Sequence, residues 1–183
     1  YRFNKYLLKK ANKARVTVNG QWQHQKSHIL SFENPCITEE EWEEGKRILK
    51  NKQYDGILDF IFVGNHEDFK GIHRIIEAFS NLKGESRVGR LHFVGDGSMR
   101  KEYEKKADEE GLRTRFHGFL TKDDLNKLLT QAHVLLLPSE SEGFPKVVAE
   151  GANYGCIPVV SDISCLEQYI RHRAFWYCFQ CRF

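Results

Sequence analysis

With 183 residues, 40% hydrophobic and 29% charged, the chain has the composition of one soluble globular domain with a real core, and it is too short for two large ones. A net charge of +3, with only short basic clusters at Lys9-Lys10 and Arg171-His172-Arg173, argues against nucleic acid as the main ligand. No run of about eighteen apolar residues is available for a membrane-spanning helix, and five scattered cysteines point to free thiols in a reducing compartment.

In chain order, Tyr1 to Ala14 reads as a basic helix, and Arg15 to Gly20 as a strand and turn. Thr38-Glu39-Glu40-Glu41 is a capping box opening a helix through about Lys50. Residues 1–55 are therefore expected to be a lead-in segment beside a core of residues 56–170. Within that core, Leu58 to Val63 is a strand ending at Gly64, and Ile72, Ile75, Ile76, Phe79 and Leu82 mark one apolar helix face. Leu91 to Val94 is a strand ending at Gly95-Asp96-Gly97. Ser98 to Glu110 is a charged helix with Met99, Tyr103 and Ala107 inward and Gly111 as its stop.

Thr114 to Phe116 is a third strand, running into His117-Gly118. Thr121 to Asp124 resembles a capping box for a helix that buries Leu125, Leu128 and Leu129. Strands at Val134 to Leu137 and Ile157 to Val160 bracket a helix with Pro145 at its first position. This alternation predicts an α/β fold, a doubly wound, Rossmann-like parallel sheet covered on both faces. Residues 171–183 hold five aromatic residues and two cysteines without periodicity, and are expected to lie outside the fold. The lone Cys178-x-x-Cys181 has no second pair to complete a zinc site.

The stretch Ser139 to Glu150 carries the most chemistry. It places Glu142 and Glu150 eight positions apart across a helix start, between two buried strands. Free amides at a helix N-terminus suit phosphate, and carboxylates accept from ribose or sugar hydroxyls. A partly buried carboxylate at Glu150 is costly unless hydrogen-bonded, and a sugar diol supplies the donors. Glu142 and Glu150 also read as ordinary acids around a helix start, and Lys70-Gly71 as the plain opening of a helix. Val94-Gly95-Asp96-Gly97 lacks the third glycine of a dinucleotide fingerprint and reads more simply as a strand-to-helix turn. His117 is read as a structural histidine, and His66 and His73 as solvated surface.

Four motifs in order, Phe62-Val63-Gly64 with Lys70-Gly71, Val94 to Gly97, Phe116 to Phe119, and Pro138-Ser139 through Glu142 to Glu150, resemble the C-terminal, donor-binding half of a GT-B-fold retaining glycosyltransferase of family four, the glycosyl transferases group 1. The resemblance covers about residues 34–169. It implies transfer of a hexosyl group with retention, from a UDP- or GDP-linked sugar to an acceptor hydroxyl, in cell-surface polysaccharide or glycoconjugate synthesis. It also implies that Glu150 bonds the ribose, and that Glu142 with the backbone of Gly143 and Phe144 faces the donor sugar and diphosphate. Lys70 would neutralise the leaving diphosphate, with Gly64, Asn65 and Gly95 around the donor, and Gly118 would line the base pocket.

The resemblance further implies no cofactor and no metal, a saccharide or lipid-linked saccharide acceptor, and an N-terminal GT-B domain lying outside this chain, which by itself would then lack turnover; the scattered cysteines point to a cytoplasmic location, and the basic start to an optional peripheral membrane contact. Asn65 departs from the family, which commonly places arginine directly after that glycine to share the diphosphate with lysine. A non-catalytic nucleotide-sugar-binding or assembly module is the alternative. An epimerase would need the three-glycine fingerprint that is missing here.

Overall fold

The computed structural model describes residues 15–19, 24–32, 36–143, 145–162 and 177–179. The basic helix expected over Tyr1 to Ala14, the turn at Gly20, Phe144, the Arg171 to Arg173 cluster and Cys181 lie outside the described residues. The chain divides into two compact units, residues 1–35 and 36–183. In the first, β1 (Val16–Asn19) pairs in parallel with β2 (Ile29–Phe32), a strand absent from the sequence expectations.

The second unit is a six-stranded, all-parallel sheet. Its strands are β3 (Leu58–Val63), β4 (Val88–Val94), β5 (Thr114–Gly118), β6 (Val134–Leu137), β7 (Ile157–Ser161) and β8 (Tyr177–Phe179), in the spatial order β5-β4-β3-β6-β7-β8. The sheet thus continues past residue 170, where the sequence offered no strand pattern. Among the described residues five helices accompany it: α1 (Glu39–Asn51), α2 (Ile72–Asn81), α3 (Arg100–Glu109), α4 (Lys122–Gln131) and α5 (Lys146–Asn153). All four residues of β6 are buried, which requires cover on both faces. Helix α2 packs with α3, and α5 packs with α1 and α4.

The core follows the periodicities. Ile72, Ile75, Ile76 and Phe79 bury one face of α2 against Ile61, Phe62, Leu91 and Phe93 of the central strands. Leu82, expected on that face, lies at the helix C-cap and is 41% exposed. In α1 the capping box forms: the Thr38 hydroxyl accepts from Glu41 N–H at 3.2 Å, and Thr38 N–H donates to the Glu41 carboxylate at 2.8 Å.

Helix α1 belongs to the sheet unit rather than to a lead-in segment ending at residue 55, and the contacts give the reason. A side chain at Gly45 would run into Asn153 of α5, whose Nδ2 donates to Glu41 O at 2.8 Å. Lys52, just past α1, tucks its ammonium against the carbonyls of Leu129 (3.1 Å) and Tyr154 (2.6 Å). Burial pushes that amine's pKa down, and the two carbonyls satisfy it.

Candidate functional site

The strand order changes direction between β3 and β6. From β3 the chain winds outward through β4 and β5, then returns to the other side of β3 and winds out through β6, β7 and β8. Side chains at the carboxyl ends of β3 and β6 therefore flank a crevice, the usual ligand site of an open parallel sheet. The segment after β3 ends in a short 3-10 turn, Asp68–Lys70. The segment after β6 carries Ser139 to Glu142.

These two segments meet. Lys70 Nζ lies 2.7 Å from Glu142 Oε1, with the two side chains only 15% and 10% exposed. Two further ties fix the pairing: Glu140 N–H donates to Phe69 O at 2.9 Å, and Arg74 of α2 donates to Pro138 O (3.2 Å) and to the Glu140 carboxylate (2.7 Å). Gly71, at φ 74°, lets the chain turn from Lys70 into α2 while its Cα rests on the Pro138 carbonyl. A Cβ there would overlap that oxygen, so the approach of the two segments needs glycine.

The other glycine turns close the crevice floor. Gly64 N–H donates to Val94 O at 3.0 Å, and Gly95 N–H donates to Gly118 O at 2.8 Å. Gly95, at φ 116°, presses on the Gly64 carbonyl with no room for a side chain. Asn65 is exposed at the crevice, Gly118 is buried, and Phe119 beside it is 77% exposed. Gly143 is exposed, with open space around its α-carbon.

Glu150 is the fifth residue of α5, just over one turn in, because Pro145 serves as N-cap and the helix begins at Lys146. It is partly buried, and among the described residues no protein group hydrogen-bonds its carboxylate. Burial pushes its pKa up, Lys122 pulls it down, Glu41 raises it further and Lys146 lowers it. A half-buried carboxylate without a donor is costly and calls for hydroxyl partners.

Residues 46–180 match the family model described as glycosyl transferases group 1. The chain belongs to that family. It is 34% identical over 114 residues to the uncharacterized glycosyltransferase MJ1607 of Methanocaldococcus jannaschii, covering 61% of this chain and 29% of that protein. It is 31% identical over 118 residues to the lipopolysaccharide glucosyltransferase WaaG of Escherichia coli K12, covering 62% and 31%. The chain thus spans about three tenths of the length of these relatives. The crystal structure of WaaG superposes with a TM-score of 0.68 at 23% identity over 88% of this chain and 45% of WaaG. Anabaena HepE, in complex with UDP and glucose, superposes with a TM-score of 0.71 at 17% identity over 96% and 52%. These likenesses establish the GT-B fold.

Within this group 1 glycosyltransferase chain, Lys70, Glu142, Gly64, Asn65, Gly95 and Gly118 collect at one edge of the sheet, and Glu150 stands on the helix that follows. Among the described residues, three buried polar groups without a well-formed hydrogen bond sit at the same edge, beyond the carboxyl ends of β3 and β6 and at the end of β7: His66, Ser139 and Ser161. His66 corrects the solvated-surface expectation, because it is fully buried among the rings of Phe62, Phe93 and Phe116. Burial pushes its pKa down. His117 is the extra residue where the β4–β5 register shifts, and its ring stacks on His92 with Nε2 and Nδ1 2.9 Å apart.

Sequence reasoning missed Arg74 and Glu140, and it read Glu41 only as a cap. The cap motif was the one local signal. The bonds from Glu41 to Lys122 and Asn126 span 81 and 85 residues and leave no local trace. Among the described residues no three His, Cys, Asp or Glu side chains are placed to hold a metal ion. Nor is any helix there long and apolar enough to cross a membrane.

Proposed function

We propose that the chain is the donor-binding half of a retaining hexosyltransferase, and that the crevice between β3 and β6 takes a UDP- or GDP-linked sugar. The observation that carries this is Glu150: a half-buried carboxylate without a donor among the described residues, on the helix that directly follows the Lys70–Glu142 pair at the switch point. Its oxygens would accept from the ribose hydroxyls. Lys70, with two donor positions beyond the one given to Glu142, would bond the diphosphate. The backbone of Gly143 and Phe144 would face the sugar, and the base would lie by Gly118 with Phe119 offered for stacking. HepE, the fold neighbour solved with UDP and glucose, is consistent with such a ligand.

In the reaction, the acceptor oxygen bonds to the anomeric carbon while the bond from that carbon to the β-phosphate oxygen breaks, its electron pair staying on the diphosphate. The acceptor proton leaves with the nucleoside diphosphate. Charge grows on the diphosphate, where Lys70 is held beforehand by Glu142, so stabilisation requires little rearrangement. No metal or cofactor enters this scheme. The acceptor, a saccharide or lipid-linked saccharide, and an N-terminal GT-B domain complete the site in the whole protein. That protein would act at the cytoplasmic side of cell-surface polysaccharide or glycoconjugate assembly, with peripheral membrane contact.

A non-catalytic nucleotide-sugar-binding module is the second reading. Asn65 favours it, since the one lysine at the diphosphate position already pairs with Glu142.

Calorimetric titration with UDP, GDP and their glucose and mannose conjugates tests the first reading. Glu150→Gln should weaken nucleotide binding by roughly tenfold to a hundredfold, the range of hydrogen bonds to a charged group. Lys70→Ala should weaken diphosphates more than monophosphates. Equal affinities in wild type and both variants would remove the assignment.

A further inference from the structure

The polar cluster next to Glu150 supports a step that rests on the ribose-binding reading above. The Glu41 carboxylate, in the first turn of α1, takes donors from Thr38 N–H (2.8 Å), Asn126 Nδ2 (2.9 Å) and Lys122 Nζ, which lies 2.8 Å from Oε1 and 2.9 Å from Oε2. Lys122 also reaches Cys36 O at 3.4 Å. Asn153, one turn beyond Glu150 on α5, donates to Glu41 O. Glu41 therefore fastens the first residue of α4 to α1, and α1 to the helix that carries Glu150.

The charged and titratable groups around Glu150 are few. Among the described residues they are Lys122 from α4, Glu41 from α1, Lys146 from α5 itself, the Tyr154 phenol just past α5, and the Cys36 thiol ahead of α1. Lys146 is exposed and makes no ion pair among the described residues. Lys122 is held in one place by both oxygens of a carboxylate, which is pushed up by its partial burial but held down to about 2, mainly by the bonds from Lys122, Thr38 and Asn126. Lys122 also acts on Glu150 more strongly than Glu41 does.

We infer that Lys122, fixed by Glu41, is a positioning residue for nucleotide binding, whose ammonium keeps the Glu150 carboxylate ionised and ready to accept from the ribose. It need not touch the nucleotide. Its effect is confined to the ribose hydroxyls and depends on pH, because a protonated Glu150 loses acceptor strength.

The test is calorimetry on the full chain with UDP and 2′-deoxy-UDP, and in parallel GDP and 2′-deoxy-GDP, in steps from about pH 8 down to about pH 4, because burial lifts the Glu150 carboxyl above its ordinary value. Wild type should prefer the ribonucleotide by about tenfold at the upper end, the scale of one charge-assisted hydrogen bond. That preference should fade as pH falls. In Lys122→Ala it should fade at a higher pH, and Lys122→Arg should restore the wild-type course. Lys122→Gln, which keeps a donor for Glu41 while removing the charge, covers an alanine variant that fails to fold. A role in folding alone would lower both affinities equally at every pH, and that result overturns the inference. An unchanged pH course in Lys122→Ala and Lys122→Gln also overturns it while leaving the ribose reading intact. No preference for either ribonucleotide in wild type, or no binding at all, overturns both.

Discussion

Gly71→Ala is the sharpest test of how the crevice is built. The alanine would sit at φ 74°, a left-handed conformation costing roughly 1–2 kcal/mol for a residue with a Cβ. Its methyl would also overlap the Pro138 carbonyl oxygen, which already accepts from Arg74 and cannot move without breaking that bond. Overpacking of this kind costs about 1–3 kcal/mol, for a total of roughly 2–5 kcal/mol. At about 2–4 °C per kcal/mol for a domain of this size, the melting temperature should fall by roughly 5–20 °C. Gly143→Ala is the control, because a Cβ there meets nothing within 4 Å and the backbone has no positive φ, so stability should stay within about 0.5 kcal/mol. Urea unfolding followed by circular dichroism measures both variants. A Gly71→Ala loss below about 1 kcal/mol would refute the claim that this glycine sets the approach of the two segments.

Three more outcomes follow from particular side chains. His66→Leu should raise stability by about 1–2 kcal/mol in urea unfolding, because a fully buried imidazole whose nitrogens make no well-formed hydrogen bond among the described residues gives way to an apolar side chain of similar size. A loss instead would show that those nitrogens are satisfied in solution. The pKa of His92 is pushed down to about 4, first by burial and then by His117, so the folded state resists a proton that the unfolded chain takes up near its ordinary value of 6.5. Its stabilising effect is complete above that value and drains as pH falls towards 4, by at most about 3 kcal/mol. His92→Phe should flatten the stability curve between those limits. Asn65→Arg should tighten UDP binding by about tenfold through a charge-assisted bond to the diphosphate, and leave uridine unchanged. Equal gains for UDP and uridine would place the diphosphate elsewhere.

The doubly wound core was legible because buried parallel strands read as unbroken apolar runs, as in Phe60 to Val63 and Val134 to Leu137, and because α2 shows its stripe at helical spacing. The glycine turns and the pair Lys70 and Glu142 were legible only as a motif order. Their meeting depends on the crossover that sets β6 beside β3, which no local pattern encodes. Strand β4 starts three residues earlier than expected, because Gly89 and Arg90 interrupt its apolar run. The burial of His66 was missed for a similar reason: a polar residue in a loop reads as surface until the packing of three phenylalanine rings is known. Arg74, Glu140 and Lys122 act across separations of 64 residues or more, and chain-local reasoning has no access to such bonds.

The most direct measurement is a crystal structure of the chain with UDP bound. The account predicts ribose hydroxyls within hydrogen-bond distance of the Glu150 carboxylate and the diphosphate against Lys70, with Glu142 still alongside. A nucleotide seated away from the carboxyl ends of β3 and β6, with Glu150 left to solvent, would contradict it.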